Sequence, residues 1–332
     1  MFQHSRYQWR RRHALCALLS LPALLGAKIS TAAEFPTRPI KIIVGFGPGG
    51  LSDLMARELA KGMQAKLGQS VIIENKPSAG QIVSMQAVAS APADGYTLLL
   101  GSITGLSLTP HLFKNLPVDP SKFVPIAPLT VTPNVLVALP DFGANSLTDL
   151  ASHAKTKGHS VTYGSLGIGT SAHIAMAVYA KRTGVDAKHI PYRGDPTALM
   201  ALKSREVDLA VITMFAALPR IKSGEIKALG IFQASPSRSL PSIQNVAQAG
   251  VLDAGLPSWS GLFAPPNTPA EVVRKLETAT RSVTASSGFQ DFLISRGSDP
   301  IDMDNKRFAD LISRTSSQAG GAIRSLNLQP SD

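Results

Sequence analysis

The sequence of 332 residues is long enough for two domains of ordinary size. Its net charge is +11, yet only 17% of the residues are charged and 44% are hydrophobic, which excludes a disordered polyelectrolyte. The presence of one Cys excludes a disulfide scaffold and a Cys-rich zinc module.

Residues 1–33 have the features of an export signal. Basic residues run up to Arg12, an apolar run covers 14–27, and Thr31-Ala32-Ala33 fits the small-x-small cleavage pattern. A membrane anchor is the alternative, but the apolar run is short of the ~20 residues that span a bilayer and it contains Pro22. We therefore predict a periplasmic protein that is cleaved near Ala33, exported by either the general or the twin-arginine route.

The positive charge does not indicate a nucleic-acid partner. Much of the excess lies in the predicted signal, and no three consecutive Lys or Arg residues occur after it. The histidines show no spacing typical of metal ligands. We expect neither nucleic acid nor a metal ion as a partner.

The first part of the chain after the signal alternates apolar strands with amphipathic helices. Strands are predicted over 40–44, 71–73 and 96–100, with a helix from 51 to Gly68 and a second over 82–89. This β-α-β-α-β order predicts a parallel sheet with helices on its faces.

A second α/β unit begins near Asn134. Its predicted strands cover 135–137, 161–163, 188–190, 208–212 and 227–231, and its predicted helices cover 147–157, 171–184, 196–204 and 217–222. Helices follow from Pro269, after a stretch around Phe263 that can return the chain to the first unit. We therefore predict two lobes joined by two crossings, with 1–33 as the signal peptide, 34–133 plus 259–332 as lobe 1 and 134–258 as lobe 2.

A glycine-rich loop, Gly45-Phe46-Gly47-Pro48-Gly49-Gly50, lies between the first strand and the first helix. It matches the G-x-G-x-x-G dinucleotide fingerprint, but Glu74 comes late for a ribose contact and the cofactor belongs to the cytoplasm. Leu51 stands where a P-loop needs Lys, which argues against nucleotide hydrolysis. The loop is then an anion cradle at a helix N-terminus, or a tight turn without a ligand; Asp53 would cap the helix or bond loop amides.

A second loop rich in glycines and hydroxyls, residues 164–171, also precedes a helix. Ser171 near His173 raises a hydrolase interpretation, but the G-x-S-x-G pattern fails by one residue and nothing identifies a triad carboxylate. We expect His173 to be a helix-face residue rather than a general base. Two such loops, one in each lobe, predict an anion held between helix N-termini.

A third loop, Pro191-Tyr192-Arg193-Gly194, precedes the helix predicted from 196. Arg193 either pairs with a ligand carboxylate or points into solvent. Asp195 is most simply an N-cap residue before Pro196; its alternative role is to contact a ligand amine or hydroxyl.

Seven stretches of the sequence carry a family resemblance. They are Phe35-Pro36-Thr37-Arg38-Pro39-Ile40, the glycine loop through Asp53, Glu74-Asn75-Lys76-Pro77-Ser78-Ala79-Gly80, Ala93-Asp94-Gly95-Tyr96-Thr97-Leu98, Gly169-Thr170-Ser171-Ala172-His173, Pro191-Tyr192-Arg193-Gly194 and Trp259-Ser260-Gly261-Leu262-Phe263-Ala264-Pro265. Over about residues 35–315, their order and spacing resemble the periplasmic substrate-binding proteins of tripartite tricarboxylate transporters, often called the Bug family.

The resemblance implies an α/β, two-lobed periplasmic-binding-protein fold of the Venus-flytrap type II, each lobe a mainly parallel sheet flanked by helices. It implies a receptor that captures a small carboxylate and delivers it to a membrane permease. It also implies that the protein is not an enzyme and has no cofactor. The alternative is that the receptor presents its ligand to a membrane sensor instead of a permease. We expect a monomer. The predicted ligand-binding residues are Phe46, Gly47, Gly49, Gly50, Leu51, Ser52, Asp53, Ser102, Thr104, Ser165, Gly167, Gly169, Thr170, Ser171, Arg193 and Asp195.

The sequence departs from the family pattern around this pocket. Where Gly45 and Gly47 stand the family usually has prolines, and where Gln81 follows Gly80 it usually has Gly-Asn or similar. An acidic residue common in the family near Ile212 is absent. The identity of the ligand should therefore not be taken from any relative.

Overall fold

The computed structural model describes residues 35–157 and 160–328. The predicted export signal, residues 1–33, lies outside the described residues and stays a prediction. All the elements named below belong to the unit that begins at Arg38.

Strands and helices alternate along most of the described chain. The strands are β1 (Ile40–Val44), β2 (Val71–Asn75), β3 (Thr97–Ser102), β4 (Val124–Val131), β5 (Asn134–Ala138), β6 (Val161–Ser165), β7 (Ala187–Pro191), β8 (Leu209–Thr213), β9 (Lys227–Ile231), β10 (Trp259–Ala264) and β11 (Asp299–Pro300). The helices are α1 (Leu51–Leu67), α2 (Ile82–Ala89), α3 (Thr109–Leu112), α4 (Leu147–Lys157), α5 (Ser171–Thr183), α6 (Asp195–Lys203), α7 (Met214–Lys222), α8 (Ala270–Thr284), α9 (Ser287–Ile294) and α10 (Asn305–Ser325). One turn of π-helix, Thr104–Leu108, leads into α3.

The first sheet has the strand order β11-β4-β10-β3-β1-β2. β1 pairs in parallel with both β2 and β3, as the predicted β-α-β-α-β order requires. β10 pairs antiparallel with β3 and β4, and β11 pairs antiparallel with β4. This sheet is therefore mixed, with its parallel part formed by the first three strands.

The second sheet has the order β7-β6-β8-β5-β9. β6 lies parallel to β7 and β8, whereas β5 runs antiparallel to β8 and β9. β5 enters this sheet two residues after β4 of the first sheet, with no helix between them.

Two mixed sheets flanked by helices confirm the α/β, two-lobed fold class. The chain passes from the first sheet to the second between β4 and β5, and it returns between β9 and β10. How the helices and loops divide between the lobes stays a prediction. Each of the described helices is too short or too polar to cross a membrane.

β4 is a strand that the sequence does not predict, because Pro125 and Pro128 argue against a central strand. Its pairing with β10 shifts register twice, between the pairs that contain Thr130 and Pro128 and between those that contain Ala127 and Pro125. The irregularities fall at the prolines, which lack an N–H for the ladder. β10 thus sits between two antiparallel neighbours despite those prolines.

Aromatic packing fixes β10 where the chain returns to the first sheet. Trp259 is fully buried, and its ring lies 5.5 Å from that of Phe308 at an angle of 89°. Phe308 in turn packs onto Gly261, where a Cβ atom would overlap the ring. These contacts anchor the start of β10 to α10.

Candidate functional site

The first glycine loop joins the carboxyl end of β1 to the start of α1. Gly50 is the N-cap residue in an extended conformation, and no side chain caps the helix. The first N–H groups of an α-helix have no carbonyl partner within it, so those of Leu51 and Ser52 lie at an open helix start. With Gly47 and Gly49 exposed, this loop can present backbone donors to an anion.

Asp53 holds this loop through a hydrogen bond to a loop amide. Its buried carboxylate accepts hydrogen bonds from the amide of Gly49 and from Nε of Arg57, each at 3.0 Å. Burial alone would raise the pKa of Asp53, but the hydrogen bonds from Arg57 and Gly49 outweigh it and lower the pKa below its usual value. The contact agrees with the expectation that Asp53 bonds a loop amide, while a direct role in ligand binding stays a prediction.

The amide of Asn75 also holds the loop. Its Nδ2 donates to the carbonyl of Phe46 at 3.0 Å, so the end of β2 fixes the backbone beside the half-buried Phe46 ring. Sequence patterns alone do not assign this role to Asn75; it follows from the parallel pairing of Val44 with Asn75.

Gln81, one of the departures from the family pattern, packs against Gly45 at the start of the same loop. It is 1% exposed and has φ +60°, a left-handed conformation that is unusual for a residue with a Cβ. Its Oε1 accepts hydrogen bonds from Oγ of Ser102 at 2.7 Å and from the amide of Gly105 at 3.2 Å. A Cβ atom at Gly45 would come within 2.8 Å of Gln81 Nε2, so two departures from the family pattern pack against each other.

The second loop joins β6 to α5 and is internally hydrogen-bonded. Thr170 is the N-cap residue: its Oγ1 accepts from the amide of His173 and donates to the carbonyl of Gly167. The amide of Gly169 donates to Nδ1 of His173 at 3.1 Å, and Oγ of Ser165 accepts from the amide of Gly167. These groups build the loop, and their predicted contact with a ligand stays a prediction.

Two stacked histidines support this loop. The rings of His173 and His189 lie 3.9 Å apart and nearly parallel, and Nε2 of His189 is 2.7 Å from Oγ of Ser165. Burial lowers the pKa of His173 to about 4, and burial together with the charge of His173 lowers the pKa of His189 to about 4. Both rings are therefore neutral at neutral pH. His173 is on the helix as predicted, but it is buried, and its Nδ1 holds a loop amide.

Ser171 connects the second loop to both passages between the sheets. Its Oγ accepts hydrogen bonds from Nδ2 of Asn134 at 3.0 Å and from Oγ of Ser258 at 3.1 Å. Asn134 begins β5 and Ser258 directly precedes β10. Local sequence patterns predict neither partner, because they lie 37 and 87 residues away from Ser171.

Helix α3 contacts both the residues that support the first loop and the second loop itself. Its Thr109 donates to the carbonyl of Gly80, next to Gln81, at 3.0 Å. Its Leu112 packs against Gly169, where a Cβ atom would come within 2.6 Å of the leucine side chain. The structure thus brings the second loop close to the residues that support the first.

The prediction that Asp195 caps α6 is wrong. Gly194 is the N-cap residue, with φ +95° in a region that favours glycine, and Asp195 is the first helical residue. The Asp195 carboxylate instead accepts from the amide and the hydroxyl of Thr213, at 2.9 and 2.7 Å. Burial raises the pKa of Asp195 despite those bonds. Arg193 is exposed.

Comparisons with known proteins agree on one family. A family model described as "Tripartite tricarboxylate transporter family receptor" matches residues 55–328. A UPF0065 protein of Bordetella pertussis is 48% identical over 313 residues, which cover 94% of this chain and 97% of that protein.

Two solved structures from Rhodopseudomonas palustris share the fold. Rpa4515, solved with adipate, has a TM-score of 0.79 at 27% identity and covers 90% of this chain and 100% of that one. MatC, solved with bound malate, has a TM-score of 0.74 at 28% identity and covers 87% of this chain and 100% of that one.

Proposed function

Since this chain belongs to the receptor family of tripartite tricarboxylate transporters, we propose that it captures a small carboxylate between its two lobes and delivers it to a transporter permease. It is a solute-binding receptor and not an enzyme, because the matching family is one of receptors and a similar structure is that of the periplasmic binding protein BugD. Ser171, the candidate nucleophile, is hydrogen-bonded to Asn134 and Ser258.

The observation that carries the proposal is a pair of helix starts, one beside each sheet, each reached through a glycine loop. The start of α1 has no side-chain cap, which leaves the amides of Leu51 and Ser52 for a ligand. Amide donors at a helix N-terminus bind a carboxylate without a charged side chain. The adipate and the malate in the two similar structures support a carboxylate as the class of ligand.

The proposed function includes export and cleavage near Ala33, after which the protein acts as a monomer in the periplasm. Mass spectrometry of the protein from a periplasmic extract tests the cleavage site. Size-exclusion chromatography with light scattering tests the monomer. A product that begins near Glu34 and has the mass of one chain is expected.

A ligand screen tests the binding function. Thermal shift and calorimetry should detect one or more acids in a panel of mono-, di- and tricarboxylates, and should detect neither glucose nor arginine. Stabilisation by a sugar or a cation, with no response to any carboxylate, would overturn the proposal.

A deletion strain tests delivery to a transporter. Uptake of the identified acid should fall in that strain. Normal uptake together with a lost transcriptional response would indicate sensing instead of transport.

A further inference from the structure

Ser102 ends β3 at the edge of the sheet from which the first glycine loop leaves. In the β1–β3 register Val44 lies opposite Leu100, so Ser102 is level with the first residues of that loop. The carboxyl ends of parallel strands meet at one edge, which is where ligands bind in open α/β sheets. Ser102 is 5% exposed there, a serine close to the ligand side of the first sheet.

The Ser102 hydroxyl donates its hydrogen to the side chain of Gln81. The amide N–H of Gly105 can only donate, so it requires Oε1 of Gln81, not Nε2, at its position. The same Oε1 lies 2.7 Å from Oγ of Ser102, so the hydroxyl donates to it. A hydroxyl has one hydrogen and two lone pairs, and Ser102 is therefore left with acceptor capacity only.

An oxygen that can only accept disfavours a carboxylate and favours a ligand donor. The acids predicted for the pocket are already engaged by other groups. The carboxylate of Asp53 pairs with Arg57 and accepts from the amide of Gly49, and both oxygens of Asp195 accept from Thr213. A hydroxyl is therefore a better donor for this place than an ammonium group.

We propose that the first lobe selects a hydroxy acid, through a hydrogen bond from the ligand hydroxyl to Ser102, with Gln81 as the residue that positions Ser102. This inference rests on the proposed function and names its substrate class. The left-handed backbone of Gln81 supports the role, because a non-glycine residue is held in that conformation only where its surroundings enforce it. The similar structures do not favour either a hydroxy acid or an acid without a hydroxyl, since malate carries a hydroxyl and adipate does not.

Calorimetry with matched acids tests this selection on the full protein. The pairs are succinate with D- and L-malate, and adipate with 2-hydroxyadipate; aspartate serves as the ammonium counterpart. The hydroxy acid of a bound pair should bind at least about tenfold more tightly than its partner, and aspartate more weakly than malate. Ser102→Ala should abolish the preference for the hydroxy acid.

Two further variants separate this role from a structural one. Gln81→Met removes the acceptor and frees the Ser102 hydrogen to donate to a carboxylate, so the preference for the hydroxy acid should fall and affinity for its partner should rise. Ser84→Ala is the matched control, because Oγ of the fully buried Ser84 donates to the Gln81 carbonyl and leaves the Ser102 contact intact. Its preference should equal that of the unmodified protein.

The outcomes distinguish this inference from the proposed function. Equal affinities within every pair, a preference that survives Ser102→Ala, or aspartate bound more tightly than malate would overturn the selection by Ser102, and carboxylate binding would stand. Binding of none of these acids or of any other carboxylate would overturn both.

Discussion

We predict that the first loop binds a ligand through its main chain, because its acidic side chain is already engaged. Asp53 holds Gly49 and Arg57, and the helix start at Gly50 has no side-chain cap. The donors that remain in residues 45–51 are amide N–H groups, which an ordinary side-chain substitution does not remove. Proline is the exception, since it lacks the N–H, and it fits the first position of a helix.

Leu51→Pro should therefore weaken carboxylate binding about 10- to 100-fold, the loss of one hydrogen bond to a charged group, with little change in thermal stability. Gly50 already has the extended backbone that a residue before proline requires. Calorimetry measures the affinity. Leu51→Ala removes the side chain but keeps the N–H, so it is the control and should bind nearly normally. Equal losses in both variants would place the effect in the leucine side chain.

The stacked histidines beneath the second loop make stability depend on pH. The pKa of each is lowered from 6.5 to about 4 in the folded protein, so between these values the unfolded chain binds more protons. Stability should be constant above about pH 6.5 and fall as the pH drops toward 4. Melting temperatures from pH 7.5 to 5 measure this.

His173→Asn is the comparison for that pH profile, because an Asn oxygen can accept from the Gly169 amide and does not titrate. This variant should melt lower at neutral pH, since it loses the ring stack, but its melting temperature should fall less steeply with acid. A slope as steep as that of the unmodified protein would show that other groups set the acid sensitivity.

At the scale of elements, local patterns predict most of the helices and the parallel strands, and there are physical reasons why β4 and α3 are not predicted. β1, α1, α2, α4 and β9 have their predicted bounds, because hydrophobic periodicity and the ending at Gly68 are local signals. β4 is missed because of its two prolines, and α3 because four residues carry no periodic signal. Glycines predict the loops, whereas no local pattern predicts the contacts of the second loop with Asn134, His189 and Ser258, which come from distant parts of the chain.

The contact between α3 and the second loop can be measured with glycine substitutions. Gly169→Ala combines a left-handed φ of +74° with overlap against Leu112, whereas Gly184→Ala has a similar φ of +72° and no atom nearby. In urea unfolding, Gly184→Ala should lower the free energy of unfolding by about 1–2 kcal/mol, and Gly169→Ala should lower it by at least about 1 kcal/mol more. Adding Leu112→Ala to Gly169→Ala should recover only the additional loss, which arises from the overlap with Leu112. Equal costs for the two glycines would mean that α3 does not constrain the loop.

At the scale of the whole molecule, ligand binding should be coupled to the two passages between the sheets. Ser171 bonds Asn134 and Ser258, which lie at those passages, so the second loop and the connections are in direct contact. Oδ1 of Asp299 on β11 accepts from the amide of Arg238, and its Oδ2 accepts from Nε2 of Gln233, which ties the returning connection to the first sheet. A ligand held by loops from both sheets favours the arrangement in which they are close.

Saturating carboxylate should therefore reduce the radius of gyration in small-angle X-ray scattering and change tryptophan emission. Trp9 lies in the predicted signal, so Trp259 would be the one tryptophan of the processed protein, and it sits where the chain re-enters the first sheet. Both changes should saturate with the calorimetric affinity, and Leu51→Pro should shift both titrations to higher ligand concentration by the same factor. Glucose is the control and should change neither. Tight binding without compaction would mean that the lobes are already closed, and binding would then depend on the preformed loops and not on movement at the passages.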